Sequence, residues 1–220
     1  LVAMAVETYA ARRSYQIANK FRARGIPVVI GGYHPTFLPD ECLQFADAVV
    51  QGDAEGVWDK VLEDAQNGAL RGIYTRESFA ALDGSKPDRS IFKGKRYAKL
   101  GMVQYGRGCK FNCDFCSIRA FYGKQLRQRP VKEVVAEIER LGTKHVFLVD
   151  DNIFVNIPKA KELFEALIPL NIQWTCQVSL DVTKDPELMD LMRRSGCLSA
   201  VVGFESLNVD NLKQMNKKWN

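Results

Sequence analysis

With 220 residues, 46% of them hydrophobic and 26% charged, the chain can bury one large core or two modest ones, and a net charge of +5 permits an acidic partner without demanding one. No run of about 18 apolar residues predicts a membrane span, and Glu7 interrupts the apolar opening LVAMAVETYAARR, whose arginines follow where a signal peptide's would precede. The first residue is Leu1, so the natural start is expected upstream.

Residues 1–7 read as a buried strand, and Thr8 is placed to cap the helix that follows, with Ile17, Ala18 and Phe21 on one face and Gly25 at its end. Val28 to Ile30 is a second apolar strand running into Gly31-Gly32. Strand, helix and strand in this order predict a right-handed parallel crossover, the unit of a doubly wound sheet. Ala48 to Val50 gives another strand before Gly52, and a helix is expected from about Gly56 to Ala65. Residues 1–66 thus read as the latter part of an α/β domain cut at its amino end. Residues 67–100 scatter Gly68, Gly72, Gly84, Pro87 and Gly94 among charges and read as a connector.

A second alternation fills 101–220. Strands are expected at Met102–Tyr105, Val146–Val149, Ile172–Leu180 and Ala200–Phe204. Pro130 opens a helix striped by Val131, Val134, Val135, Ile138 and Leu141; Lys159–Leu167 is the next, and Asp185 caps a third with Pro186 at its first position. Regular β-α-β-α order predicts a parallel sheet, open or curling into a partial barrel.

Three of the six cysteines crowd into Cys109-Lys-Phe-Asn-Cys113-Asp-Phe-Cys116, after the first of these strands. The crowding points to a metal or cluster site in a reducing cytoplasm, not to a disulfide scaffold. Three thiolates can each bind one iron of a 4Fe–4S cube, leaving the fourth iron open to a small molecule. The bland alternative is structural zinc, which normally takes four ligands; no fourth Cys or His is nearby, and His145 is the nearest His. Cys42, Cys176 and Cys197 read as small buried hydrophobes.

The Cys-x3-Cys-x2-Cys spacing, with Phe115 before the last cysteine, resembles the signature of the radical S-adenosylmethionine (SAM) superfamily. The resemblance implies that Cys109, Cys113 and Cys116 hold the cluster and that SAM chelates its open iron. One electron would then cleave SAM to methionine and a 5′-deoxyadenosyl radical that abstracts a substrate hydrogen. A low-potential donor of the flavodoxin or ferredoxin type is implied. Phe115, Asp150, Asp151, Gln177, Ser179 and Glu205 are the implied SAM contacts. Asp150 or Asp151 stands where the superfamily binds the SAM amino nitrogen, though its widespread motif there is Gly-Gly-Glu, and either Asp could instead cap the next loop. The basic stretch Arg119, Lys124, Arg127 and Arg129, with Phe121 and Tyr122, reads as a solvated face before a nucleic-acid surface.

Gly31-Gly32-Tyr33-His34-Pro35-Thr36, with Gly52-Asp53-Ala54-Glu55, resembles the latter half of the cobalamin-binding domain attached to many radical SAM enzymes. Gly31, Gly32 and Gly52, with Thr8, would line the side of the cofactor's nucleotide tail, and His34 would be a loop residue beside the glycines. The Asp-x-His-x-x-Gly motif that supplies a lower axial ligand is absent from this sequence. The expected whole is an α/β protein: a partial doubly wound cobalamin-binding-like domain, then a partial parallel β/α radical SAM barrel. It would transfer a methyl group to an unactivated carbon of a small-molecule substrate, with ring rearrangement or cyclisation as the other reactions this architecture admits. Two rivals are a radical SAM enzyme whose front domain recognises substrate without cobalamin, and a zinc-stabilised nucleic-acid-binding module.

Overall fold

The computed structural model describes residues 1–84 and 86–220, so position 85 of the expected connector lies outside the described residues. Contacts divide the chain into Leu1–Ala80 and Ala81–Asn220. In the first unit β1 (Val2–Ala5), β2 (Val28–Gly31), β3 (Ala48–Gln51) and β4 (Gly72–Thr75) form one parallel sheet in that order. Successive side chains of a strand point to opposite faces, and the inner strands are apolar on both. Val28, Ile30 and Val49 enter one core cluster, while Val29, Ala48 and Val50 enter another.

The helices follow from that two-sided burial. They are α1 (Ala11–Arg22), α2 (Tyr33–Phe37), α3 (Pro39–Leu43) and α4 (Trp58–Gln66). Ala11, Tyr15 and Ala18 of α1, spaced for one helical face, and Cys42 of α3 cover the first cluster. Val61 of α4 covers the second.

Four expectations shift in this unit. The first strand, expected to be buried, is β1 at the edge of the sheet, and its residues alternate between half-buried and exposed. Thr8 does not cap the long helix: it opens a single tight turn, Thr8–Ala10, and α1 begins after Ala10 with no side-chain cap. His34 is not a loop residue but lies in α2 and is buried. The stretch expected as connector gives its start to the sheet, where β4 pairs with β3 from Ala48↔Gly72 to Gln51↔Thr75. A four-residue strand among glycines and charges is too short to display a period.

The second unit runs β5 (Gly101–Val103), β6 (Gly106–Arg107), α5 (Ser117–Tyr122), β7 (Arg127–Gln128), α6 (Val131–Leu141), β8 (His145–Leu148), α7 (Ile157–Leu167), β9 (Gln173–Val178), α8 (Pro186–Arg194), β10 (Cys197–Val202) and α9 (Val209–Gln214). Its main sheet is parallel in the order β10-β9-β8-β5, and β6 with β7 makes a small antiparallel ribbon. Asp185 caps α8 by accepting from the Leu188 N–H at 3.0 Å, and left-handed Gly142 ends α6. The core centres on Trp174 of β9, stacked on Phe164 of α7 at 4.8 Å, with its indole N–H given to the Ser195 carbonyl at 3.0 Å. The loops that follow β5, β8, β9 and β10 lie at the carboxyl ends of these parallel strands, where β/α enzymes build their sites.

Candidate active site

The cysteine loop leaves β5, passes through β6 and ends in α5. Gly108 makes its entry possible: φ is +94°, and a Cβ there would stand 2.2 Å from the Gln125 carbonyl oxygen. Only glycine fits such a backbone approach. None of the three cysteines is in a disulfide; the Cys116 N–H bonds the Cys113 carbonyl at 3.1 Å, folding the loop's end into a turn.

Burial raises the Cys109 and Cys113 thiols above the ordinary range, and each is pushed further by the charge of its neighbouring cysteines. The three sulfurs therefore share one electrostatic locale. Among the described residues, no group of three or more His, Cys, Asp or Glu could hold one metal ion. Three thiolates in one loop are the donor set of a 4Fe–4S cube with one open iron, whereas structural zinc normally takes four ligands. The donor set fits a cluster.

The end of β8 props the loop. Asp150 is buried at 3% exposure and accepts from the Tyr105 N–H at 3.1 Å and from the Gly106 N–H. Burial pushes its carboxyl up to about 7, against the downward pull of those two amides. Asp151 accepts from the Gly108 N–H at 2.8 Å. Neither Asp caps the following turn; Asn152 does, accepting from the Phe154 N–H at 3.1 Å. The Asn152 amide also donates to the Ser179 hydroxyl at 2.9 Å and lies 3.8 Å from the Cys109 sulfur. Ser179 in turn bonds Asp181, and Gln177 donates to the Asp150 carbonyl at 3.4 Å. Sequence reasoning passed over Asn152, although the run Asp150-Asp151-Asn152 at a strand end was its signal.

Glu205 follows β10 in a left-handed conformation, φ +59°, unusual for a side chain other than glycine, asparagine or aspartate. The Lys217 ammonium holds it, 2.9 Å from the carboxylate and 2.7 Å from the Gly203 carbonyl. Phe115 is 53% exposed. Asp150, Asp151, Gln177 and Ser179 are thus joined to the loop by hydrogen bonds, whereas Phe115 faces solvent. The basic stretch divides: Arg129 is buried, bonding the Gln104 carbonyl at 2.9 Å and Glu137 at 2.6 Å, and Arg89 bonds Glu137 from the other side at 2.5 Å. Arg129 therefore braces the fold.

In the first unit Gly32 has φ +103°, and its Cβ would meet the Val6 amide nitrogen at 2.9 Å. At Gly52, φ +86°, a Cβ would meet the Arg76 guanidinium. Thr36 ties these turns together, donating to the Gly32 carbonyl at 2.7 Å and accepting from the Gly52 N–H at 2.9 Å. Gly31 approaches Val50 at ordinary contact distance. The chain's own packing thus explains Gly32 and Gly52 before any ligand does. Exposed Thr8 lies 3.3 Å from the buried His34 ring, which meets the Tyr15 hydroxyl at 2.7 Å; that hydroxyl also bonds exposed Glu41 at 2.8 Å and lies 3.3 Å from the buried Cys42 sulfur. Its members are polar residues inside helices, and no local pattern announces them.

The radical SAM superfamily model matches residues 103–220. Bacteriochlorophyllide d C-12(1)-methyltransferase of Chlorobaculum tepidum is 34% identical across 100% of this chain and 51% of its own length. Anaerobic magnesium-protoporphyrin IX monomethyl ester cyclase of Rubrivivax gelatinosus is 29% identical across 96% of this chain and 44% of its own. The radical SAM methyltransferase TsrM of Kitasatospora setae superposes with a TM-score of 0.78 at 17% identity, over 100% of this chain and 51% of that one, and shows the same fold. The chain spans about half the length of the curated relatives just named. No helix among the described residues is long and apolar enough to cross a membrane. A matching family model over more than half the chain, on a parallel β/α frame with three unpaired cysteines in its first loop, places this chain in the radical SAM superfamily.

Proposed function

We propose that the chain is part of a cobalamin-dependent radical SAM methyltransferase, with Cys109, Cys113 and Cys116 holding a 4Fe–4S cluster. The observation that carries the reading is the propped loop: three thiols in one locale, with backbone amides anchored by Asp150 and Asp151. When bound, the cluster supplies an open iron for SAM and the electron for its reductive cleavage. Asn152 orients Cys109 and Ser179, and buried Asp150 keeps the loop's entry fixed. Both oxygens of Asp150 are committed to amides, so Asp151, Gln177, Ser179 and Glu205 are the better candidates to meet SAM. Such props keep water and substrate from displacing the ligands by holding their geometry beforehand.

Cobalamin binding is supported by the parallel first sheet, by the Gly31-Gly32 and Gly52 turns at its carboxyl ends, and by the likeness to TsrM, described as holding cobalamin and a 4Fe–4S cluster. Full-length relatives named methyltransferases favour methyl transfer to carbon of a small molecule. A low-potential flavodoxin or ferredoxin completes the proposal as electron donor.

The test is iron and sulfide content with the absorption spectrum after anaerobic reconstitution of the full-length protein, wild type against Cys113→Ala. Near four irons and four sulfides per chain, lost in the variant, supports the cluster. Zinc without iron sinks it. Purification with cobalamin present then separates the two radical SAM readings: a cobalamin spectrum supports the first, and its absence favours a front domain that recognises substrate.

A further inference from the structure

The segment after α9 closes on the cysteine loop. Trp219 stacks on Phe111 at 3.7 Å, the Asn216 amide donates to the Asn112 carbonyl at 2.8 Å, and the Asp114 N–H donates to the Met215 carbonyl at 3.2 Å. At its middle sits Lys217, 7% exposed, an unusual burial for a lysine. Its ammonium bonds two groups at the end of β10, the Gly203 carbonyl and the Glu205 carboxylate. The carboxylate side chain is 35% exposed while the lysine side chain is 8% exposed, so water screens the negative partner more than the positive one. A buried ammonium in the segment that closes on the cysteine loop, with a more exposed counter-ion, favours extra negative charge at the cluster.

We propose that Lys217 is a positioning residue of the radical SAM site, which holds the Glu205 turn and raises the reduction potential of the cluster carried by Cys109, Cys113 and Cys116. The inference rests on the cluster reading given above. It assigns a task to a residue far outside the cysteine motif, and it makes the clasp from Met215 to Trp219 part of the redox centre. The pair has opposite signs, so its two members move the potential oppositely. Removing the lysine charge disfavours the reduced cluster, and removing the glutamate charge favours it.

The experiment is a redox titration followed by electron paramagnetic resonance on the reconstituted full-length protein without SAM, comparing wild type with Lys217→Gln, Lys217→Arg and Glu205→Gln. Iron content is measured on every sample. Lys217→Gln is expected to lower the reduced-to-oxidised ratio about tenfold at fixed potential, a fall of about 59 mV for one electron. Lys217→Arg is expected to restore it, and Glu205→Gln to shift it upward. Equal potentials in all four samples at full iron content overturn the proposal while leaving the cluster reading intact. A fall in Lys217→Gln that Lys217→Arg does not rescue also overturns it, since the charge is then not the cause. If the wild type takes up no iron, the cluster reading and this inference fall together. Should Lys217→Gln lose its iron, Glu205→Gln decides: an upward shift supports the charge pair, and no shift refutes it.

Discussion

Replacing Gly108 by alanine tests whether the cysteine loop is fixed by backbone contact. Its φ of +94° and a Cβ position 2.2 Å from the Gln125 carbonyl oxygen impose two separate costs. A left-handed alanine costs about 1–2 kcal/mol, and forcing a methyl into occupied space about 1–3 kcal/mol more, for a total of roughly 2–5 kcal/mol. That is a large part of a typical domain's stability of about 5–15 kcal/mol. Gly142 supplies the control, for it has φ +60° and ψ +17° but nothing within 4 Å of its would-be Cβ. Gly142→Ala should therefore lose only the conformational part, about 1–2 kcal/mol. Denaturant unfolding of both cluster-free variants gives the difference, and iron uptake after reconstitution shows whether the loop still presents its thiols. Equal stability losses with equal iron would refute the claim that Gly108 and Gln125 fix the loop.

Asp150 should make the cluster-free protein pH-sensitive. Burial lifts its folded pKa to about 7, well above the ordinary carboxylate range, so the native state binds the proton more tightly. Stability is then highest below about pH 4, falls by a few kcal/mol as pH rises to about 7, and levels beyond; Asp150→Asn should flatten that slope in denaturant titrations from pH 4.5 to 8. Glu137→Ala removes the carboxylate between Arg89 and Arg129 and should cost about 3–5 kcal/mol in thermal or denaturant unfolding, whereas a change under 1 kcal/mol would show the charges to be solvated. In the first unit, Thr36→Val breaks both bonds joining Gly32 to Gly52 and should cost about 1–3 kcal/mol, with Thr36→Ser restoring it. A Thr36→Val protein as stable as wild type would mean the two turns hold their shape independently.

Much of the frame was readable because local rules govern it. Apolar runs located β2, β3 and β8, and Asp185-Pro186 announced the start of α8. The cysteines were readable because three thiols at that spacing have few uses. What stayed hidden was set by distant partners. β6 and β7 are two residues each, too short for a period, and exist because they pair. Asp150 and Asp151 looked like ligand groups, yet the loop they brace lies 43–45 positions earlier in the chain. Lys217 carried no signal of its own, because nothing nearby in sequence says that Gly203 and Glu205 will hold it.

The same distances dictate an order of events on the ribosome. The cysteines are made before any of their props, and the contact from Asn216 to Asn112 must wait for 104 further residues. At about 5–20 residues per second, the loop exists for roughly 5–20 s as an unsupported, thiol-bearing strand before its clasp is synthesised. A cell that assembles this centre therefore has to shield three nascent thiols from stray metal and oxidation, and to deliver iron and sulfide only after β8 and the clasp have emerged.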